Sequence, residues 1–147
     1  MLGSCHCKNL IIDWKIRNLS LIARACQCNY CRSKQVHWVS KPGASFSLKV
    51  RYLNKYQVNN NGLYLAQFHE CLNCQSVVAV STNIDNKTYG AINLRCLSQS
   101  QRFPEEKKVS PEKNQTITER QKMWQQNWCY PVEIITPPQA TKLYLVN

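Results

Sequence analysis

No run of eighteen apolar side chains occurs anywhere in the 147 residues, so no segment is expected to cross a membrane as a helix. Acidic residues are scarce: eight in all against nineteen Lys and Arg, and in the first 101 residues only Asp13, Glu70 and Asp85. That argues against a carboxylate dyad as the reacting pair, which needs two acids to converge. No Ser/His/Asp constellation and no Gly-rich phosphate loop is visible, which removes the common hydrolase and phosphoryl-transfer signatures. No repeat or low-complexity tract is evident. Residues 1–7 lack the basic stretch and apolar core of a secretory leader. The expectation is a cytoplasmic protein in a reducing setting, where thiols remain available.

Thiols are what the chain has in excess. Seven of its nine cysteines fall into three clusters: Cys5-x-Cys7, Cys26-x-Cys28-x-x-Cys31 and Cys71-x-x-Cys74. Sulfurs one to three residues apart can converge on one ion but are poorly placed to form a disulfide with each other. In this setting they read as zinc ligands. A closed structural site takes four ligands, whereas a catalytic one takes three and keeps a position open. The two pairs supply four sulfurs and the triplet three. A histidine (His6, His37 or His69) or Cys96 is equally available to close the triplet, giving two structural sites. Cys96 and Cys129 have no evident partner and read as buried packing.

Short strands dominate the first 97 residues. Leu10, Ile12, Trp14 and Ile16 alternate with polar neighbours, and Phe46, Leu48, Val50 and Tyr52 do the same, the period of a half-buried strand. Further β-rich runs cover residues 19–25, 36–39, 63–68, 76–80 and 91–94, with residues 83–90 as a hairpin connection. Apolar residues nearly vanish over residues 98–115, which reads as a flexible linker. Thr116 and Glu119 make a capping box for a helix over 117–127, with Trp124 and Trp128 packing it on the sheet. An irregular return through Pro131, Pro137 and Pro138 follows, and residues 142–146 suit a last strand. The division is a zinc-binding β domain over 1–98, with residues 99–147 a loop and irregular or short-helical segment packed on it.

The order and spacing of Gly3-Ser4-Cys5-His6-Cys7, Cys26-x-Cys28-x-x-Cys31-Arg32 and Phe68-x-x-Cys71-x-x-Cys74 resemble the glutathione-dependent formaldehyde-activating enzymes, a family that includes centromere protein V. Asn93-Leu94-Arg95-Cys96-Leu97 resembles the strand that follows the last cysteine pair in some members. The resemblance covers roughly residues 3–97. It implies a zinc-bound β-tent fold of small antiparallel sheets. It also implies two zinc ions per chain: a structural one on Cys5, Cys7, Cys71 and Cys74, and a second on Cys26, Cys28 and Cys31 with an open position. The glycines usual after the first C-x-C and the second C-x-x-C are Lys8 and Gln75 here, which predicts slightly altered turns.

An open zinc holds a bound thiol as thiolate at neutral pH. The resemblance therefore implies a carbon–sulfur lyase acting on an adduct of glutathione, or a related thiol, with an aldehyde. Glutathione carries two carboxylates, and Arg32 and Arg95 are candidates to meet them. The alternative is a non-catalytic zinc module binding nucleic acid. The formal net charge is +11, and Lys49, Arg51, Tyr52, Lys55 and Tyr56 form a modest basic and aromatic group.

Overall fold

Both alternating stretches become strands whose apolar residues face one core. A computed structural model describes residues 1–17, 22–60, 66–100, 106–109 and 115–138. In β2 (Leu10–Trp14), Leu10, Ile12 and Trp14 are fully buried. In β5 (Phe46–Val50), Phe46, Leu48 and Val50 face the same core. These two pair antiparallel at the centre of a four-stranded sheet. Its edges are β1 (Leu2–Ser4) and β11 (Val132–Ile135).

A seven-stranded sheet packs over it. Its spatial order is β10 (Glu106–Val109), β3 (Ala23–Cys26), β4 (Trp38–Val39), β9 (Lys87–Asn93), β8 (Val77–Ile84), β7 (Gln67–Cys71) and β6 (Tyr56–Asn59). β8 is buried on both faces, which is why its sequence VVAVSTNI shows little alternation. One face lies on the core shared with the first sheet. The other lies under a second apolar cluster containing Tyr30, Phe68, Val80 and Trp124. β8 and β9 join through Asp85 and Asn86, both at positive φ (52° and 64°), the conformation a tight two-residue hairpin turn requires.

Three expectations change. The sheets are mixed rather than antiparallel, because β10 pairs parallel with β3 and β11 parallel with β5. Part of the expected linker is strand β10, which is charged because it lies at a sheet edge. The expected irregular return contains β11. The helix survives as α2 (Ile117–Asn127): the Thr116 hydroxyl accepts from the Glu119 amide at 3.1 Å and donates to its carboxylate at 3.0 Å. The strand expected over 142–146, and parts of those expected over 19–25 and 63–68, lie outside the described residues. Among the described residues no helix is long and apolar enough to cross a membrane.

Candidate functional site

The first and last cysteine pairs meet. Cys5 and Cys7 lie in the loop after β1, while Cys71 ends β7 and Cys74 follows in the next turn. All four Sγ atoms lie within 4.8 Å of one another. Cys5 to Cys7 is 3.7 Å and Cys7 to Cys71 is 3.5 Å. Four sulfurs about 2.3 Å from a tetrahedral ion stand roughly 3.8 Å apart, so the arrangement fits a closed metal site.

Amide groups where the loop after β1 meets β2 reach two of these sulfurs. The Leu10 amide donates to Cys5 Sγ at 3.3 Å, and the Asn9 side-chain amide approaches Cys71 Sγ at 3.9 Å. Asn9 is buried and clamps its loop to the turn at 52–55. It donates to the Tyr52 and Lys55 carbonyls (3.3 and 3.2 Å) and accepts from the Tyr52 amide (2.7 Å). Lys8 and Gln75 take left-handed φ values of 64° and 61°. Both turns thus hold a conformation open to glycine. Each keeps the conformation glycine would adopt freely, at a steric cost.

The triplet also converges. The Sγ atoms of Cys26, Cys28 and Cys31 lie within 4.8 Å of one another, and among the described residues no His, Cys, Asp or Glu adds a fourth ligand atom. Cys26 ends β3, and Cys28 caps a short helix, α1 (Asn29–Lys34), that sequence reading did not anticipate. Its sulfur accepts the Cys31 amide at 3.4 Å, doing what a serine or aspartate oxygen usually does. The Trp38 indole N–H donates to Cys31 Sγ at 3.4 Å.

Acidity in the two groups is divided unevenly. Burial pushes Cys5 up to about 12. Burial also works against ionisation of Cys74, but hydrogen bonds from Ser76 and nearby amides outweigh it and bring the thiol down to about 6. The hydrogen bond from Cys31, with help from nearby amides, lowers Cys26 to about 6; Cys31, holding the proton, is raised. Crowded sulfurs cannot all ionise unaided, because each thiolate opposes the next. A divalent cation removes that opposition, which is the donor-set chemistry of a metal site.

The other proposed ligands are engaged elsewhere. His69 is buried between the Tyr56 hydroxyl (2.6 Å) and the Ser81 hydroxyl (2.7 Å), and burial lowers it to about 4, keeping it neutral. His37 Nε2 lies 3.3 Å from the Arg95 guanidinium, and Cys96 Sγ lies 3.7 Å from the Val77 carbonyl. His6 is exposed beside the four-cysteine group. Cys129 is fully buried, with its sulfur 3.5 Å from the Lys41 amide. Buried Glu70 is occupied by Tyr30, Gln57 and Asn59.

Beside the triplet is a cavity of about 460 Å³ with Cys26 and Cys31 in its wall. Arg32 and Arg95, the expected carboxylate contacts, are both exposed and do not line it. The cations that do are Arg24, Lys107 and Arg120. None of the three was expected: Lys107 and Arg120 arrive on β10 and α2, from the segment beyond the cysteine pattern, and Arg24 reaches the cavity through its place on β3. Trp124 and Trp128 pack α2 as expected, but both also line the cavity, with ring centroids 4.9 Å apart.

No protein-family model matches the chain, and no curated protein matches it. Among solved structures it is similar to a Rhodobacter sphaeroides protein known from a crystal structure, with 18% identity and a TM-score of 0.59. The similarity spans 74% of this chain and all of the other, and at that identity it is a likeness of fold.

Proposed function

We propose that the protein is a zinc-dependent carbon–sulfur lyase of the β-tent type, acting on adducts of an aldehyde with glutathione or a related thiol. One observation carries this reading. The three-cysteine group lacks a fourth protein ligand among the described residues and opens, through Cys26 and Cys31, onto a cavity large enough for a small molecule. The four-cysteine group is the structural counterpart, joining two loops that are distant in sequence.

A zinc ion held by three thiolates would favour a soft sulfur ligand and stabilise it as thiolate. In the cleavage direction, the adduct's carbon–sulfur bond breaks and its electron pair goes to sulfur. The hydroxyl proton is released as the carbonyl forms, with no oxidant or reductant consumed. The chain's own residues position this chemistry. The indole N–H of Trp38 steadies Cys31, and the Cys31 amide steadies Cys28.

Titration calorimetry on metal-loaded protein tests the reading with glutathione and S-methyl glutathione. The methylated analogue keeps both carboxylates but cannot become a thiolate. Glutathione is expected to bind and the analogue to bind much more weakly, with the difference abolished in Cys28→Ser. Equal binding by the two would contradict the reading.

A second reading, a non-catalytic zinc module that binds nucleic acid, draws support from one exposed site. Arg51 and Lys55 both lie over the Tyr52 ring, 5.7 and 5.6 Å from its centroid, and Tyr52 is 54% exposed. Steeply salt-dependent binding of DNA or RNA, lost in Arg51→Ala, would favour it.

A further inference from the structure

The wall of the triplet cavity carries its own charge pattern. Lys107 on β10 is the direct cross-strand partner of Arg24 on β3, and Arg24 is in turn the partner of Trp38 on β4. All three line the cavity. These two like charges are neighbours on one face of a parallel pair and both are exposed, so water screens part of their repulsion; among the described residues neither Arg24 nor Lys107 has an ion pair. An anion seated between them relieves that repulsion.

Sheet geometry also sets a direction. Arg24 and Cys26 are two residues apart on β3 and so share its cavity face, about 7 Å apart along the strand. Beyond Arg24 and Lys107 the wall is largely aromatic and apolar, with Gln115, Arg120 and Asn127 as its other polar members. The Trp38 and Phe68 ring centroids are 6.1 Å apart, and Trp124 and Trp128 stack nearby. An aliphatic thiol adduct would leave those rings without a stacking partner, whereas an aromatic body would supply one.

We propose that the cavity selects thiols with an aromatic body and an acid group. The sulfur is directed to the triplet end, the ring lies among Trp38, Phe68, Trp124 and Trp128, and the acid group, at the far end of the ring from the sulfur, sits between Arg24 and Lys107. This rests on the open-site reading above and specifies its substrate class. The segment after residue 98 supplies Lys107, Trp124 and Trp128, so it is the part of the chain that sets specificity.

Cobalt(II)-loaded protein allows a direct test, because a sulfur joining the metal changes its visible ligand-field band. The probes are 4-mercaptobenzoate, mercaptoacetate, benzoate and glutathione. The expected result is that 4-mercaptobenzoate shifts the band and binds about tenfold more tightly than mercaptoacetate, the gain from stacking on two or more rings. Trp128→Ala should lower that ratio severalfold. Lys107→Ala, a change at an exposed side chain, should weaken 4-mercaptobenzoate about fivefold and leave mercaptoacetate, whose acid is too close to its sulfur to reach, unaltered. Equal affinity for the two thiols, with the band shifting for both, overturns this inference and leaves the open site standing. Benzoate binding as tightly as 4-mercaptobenzoate overturns it too, since sulfur would then contribute nothing. No band shift with any thiol, glutathione included, overturns the open-site reading itself.

Discussion

The two cysteine groups differ in what they join, and serine substitutions should separate them. Cys7 and Cys71 are 64 residues apart, so a metal on the first group closes a long loop. Cys28 and Cys31 are three apart, so a metal on the second ties a segment already local. Between those loop lengths lie more than four doublings, about 2.5 kcal/mol of closure entropy at about 0.6 kcal/mol each. A structural zinc contributes about 10–16 kcal/mol to small zinc-folded units, or about 3 kcal/mol per thiolate when shared among four. Cys71 is also buried, so serine there puts a hydroxyl into the core at a further cost of about 1 kcal/mol. Cys71→Ser should therefore lose about 4 kcal/mol, a large share of the ~5–15 kcal/mol of a typical domain. Its Tm should fall by about 10 °C or more.

Cys28→Ser should behave differently for a local reason. Position 28 is the N-cap of α1, and serine accepts an N-cap hydrogen bond as well as any residue, so the Cys31 amide keeps a partner. The expected loss is about 1 kcal/mol, accompanied by loss of thiol binding. Cys28→Ala, which also removes the cap, should lose about 1 kcal/mol more. Urea unfolding of the metal-loaded proteins, followed by circular dichroism, gives all three values. Equal losses for Cys71→Ser and Cys28→Ser, or a larger loss for the latter, would refute the assignment of one group to folding and the other to ligand binding.

Other positions give sharper local tests. A Cβ at Gly90 would sit 2.7 Å from the Val80 carbonyl oxygen and 3.0 Å from the Phe46 ring, so Gly90→Ala should cost about 1–3 kcal/mol in urea unfolding; an unchanged midpoint would contradict the packing of the two sheets there. Gln75→Gly should stabilise by about 0.5 kcal/mol, because relief of left-handed strain slightly exceeds the added unfolded-state entropy, whereas Gln75→Val should destabilise by about 1–2 kcal/mol. If both Gln75 variants melt with the wild type, the left-handed turn is not present in solution. A strong chelator should lower Tm by about 10 °C or more, and readdition of zinc should restore it; an unchanged Tm would mean that no metal supports the fold.

Much of this arrangement was legible in the sequence where the signal is local. Alternation in residues 10–16 and 46–52 located β2 and β5, because one face of each is buried and the other is not. Thr116 and Glu119 located α2, because a capping box is complete within four residues. The cysteine groups were legible because each contributing cluster is contiguous. What was missed depends on contacts distant in sequence. β10 is a charged edge strand with no apolar period, and only its pairing with β3 makes it a strand. The Arg24–Lys107 pair arises from that same register, so Arg32, next to a ligand in sequence, looked the better candidate while its side chain points to solvent. α1 was missed because a cysteine sulfur takes the capping role and six residues show no helical period. Lys8 and Gln75 misled in the opposite direction, since the loop geometry overrides their preference and holds them at positive φ.

If seven cysteines form two metal sites, one closed and one open, the bound metal must follow the sulfurs. Elemental analysis of protein purified without chelator, for the wild type and Cys28→Ser side by side, reads this out. About two zinc ions per chain are expected in the wild type and about one in Cys28→Ser, the remaining ion held by the four-cysteine group. A wild-type content near zero, or a content unchanged by Cys28→Ser, would contradict it.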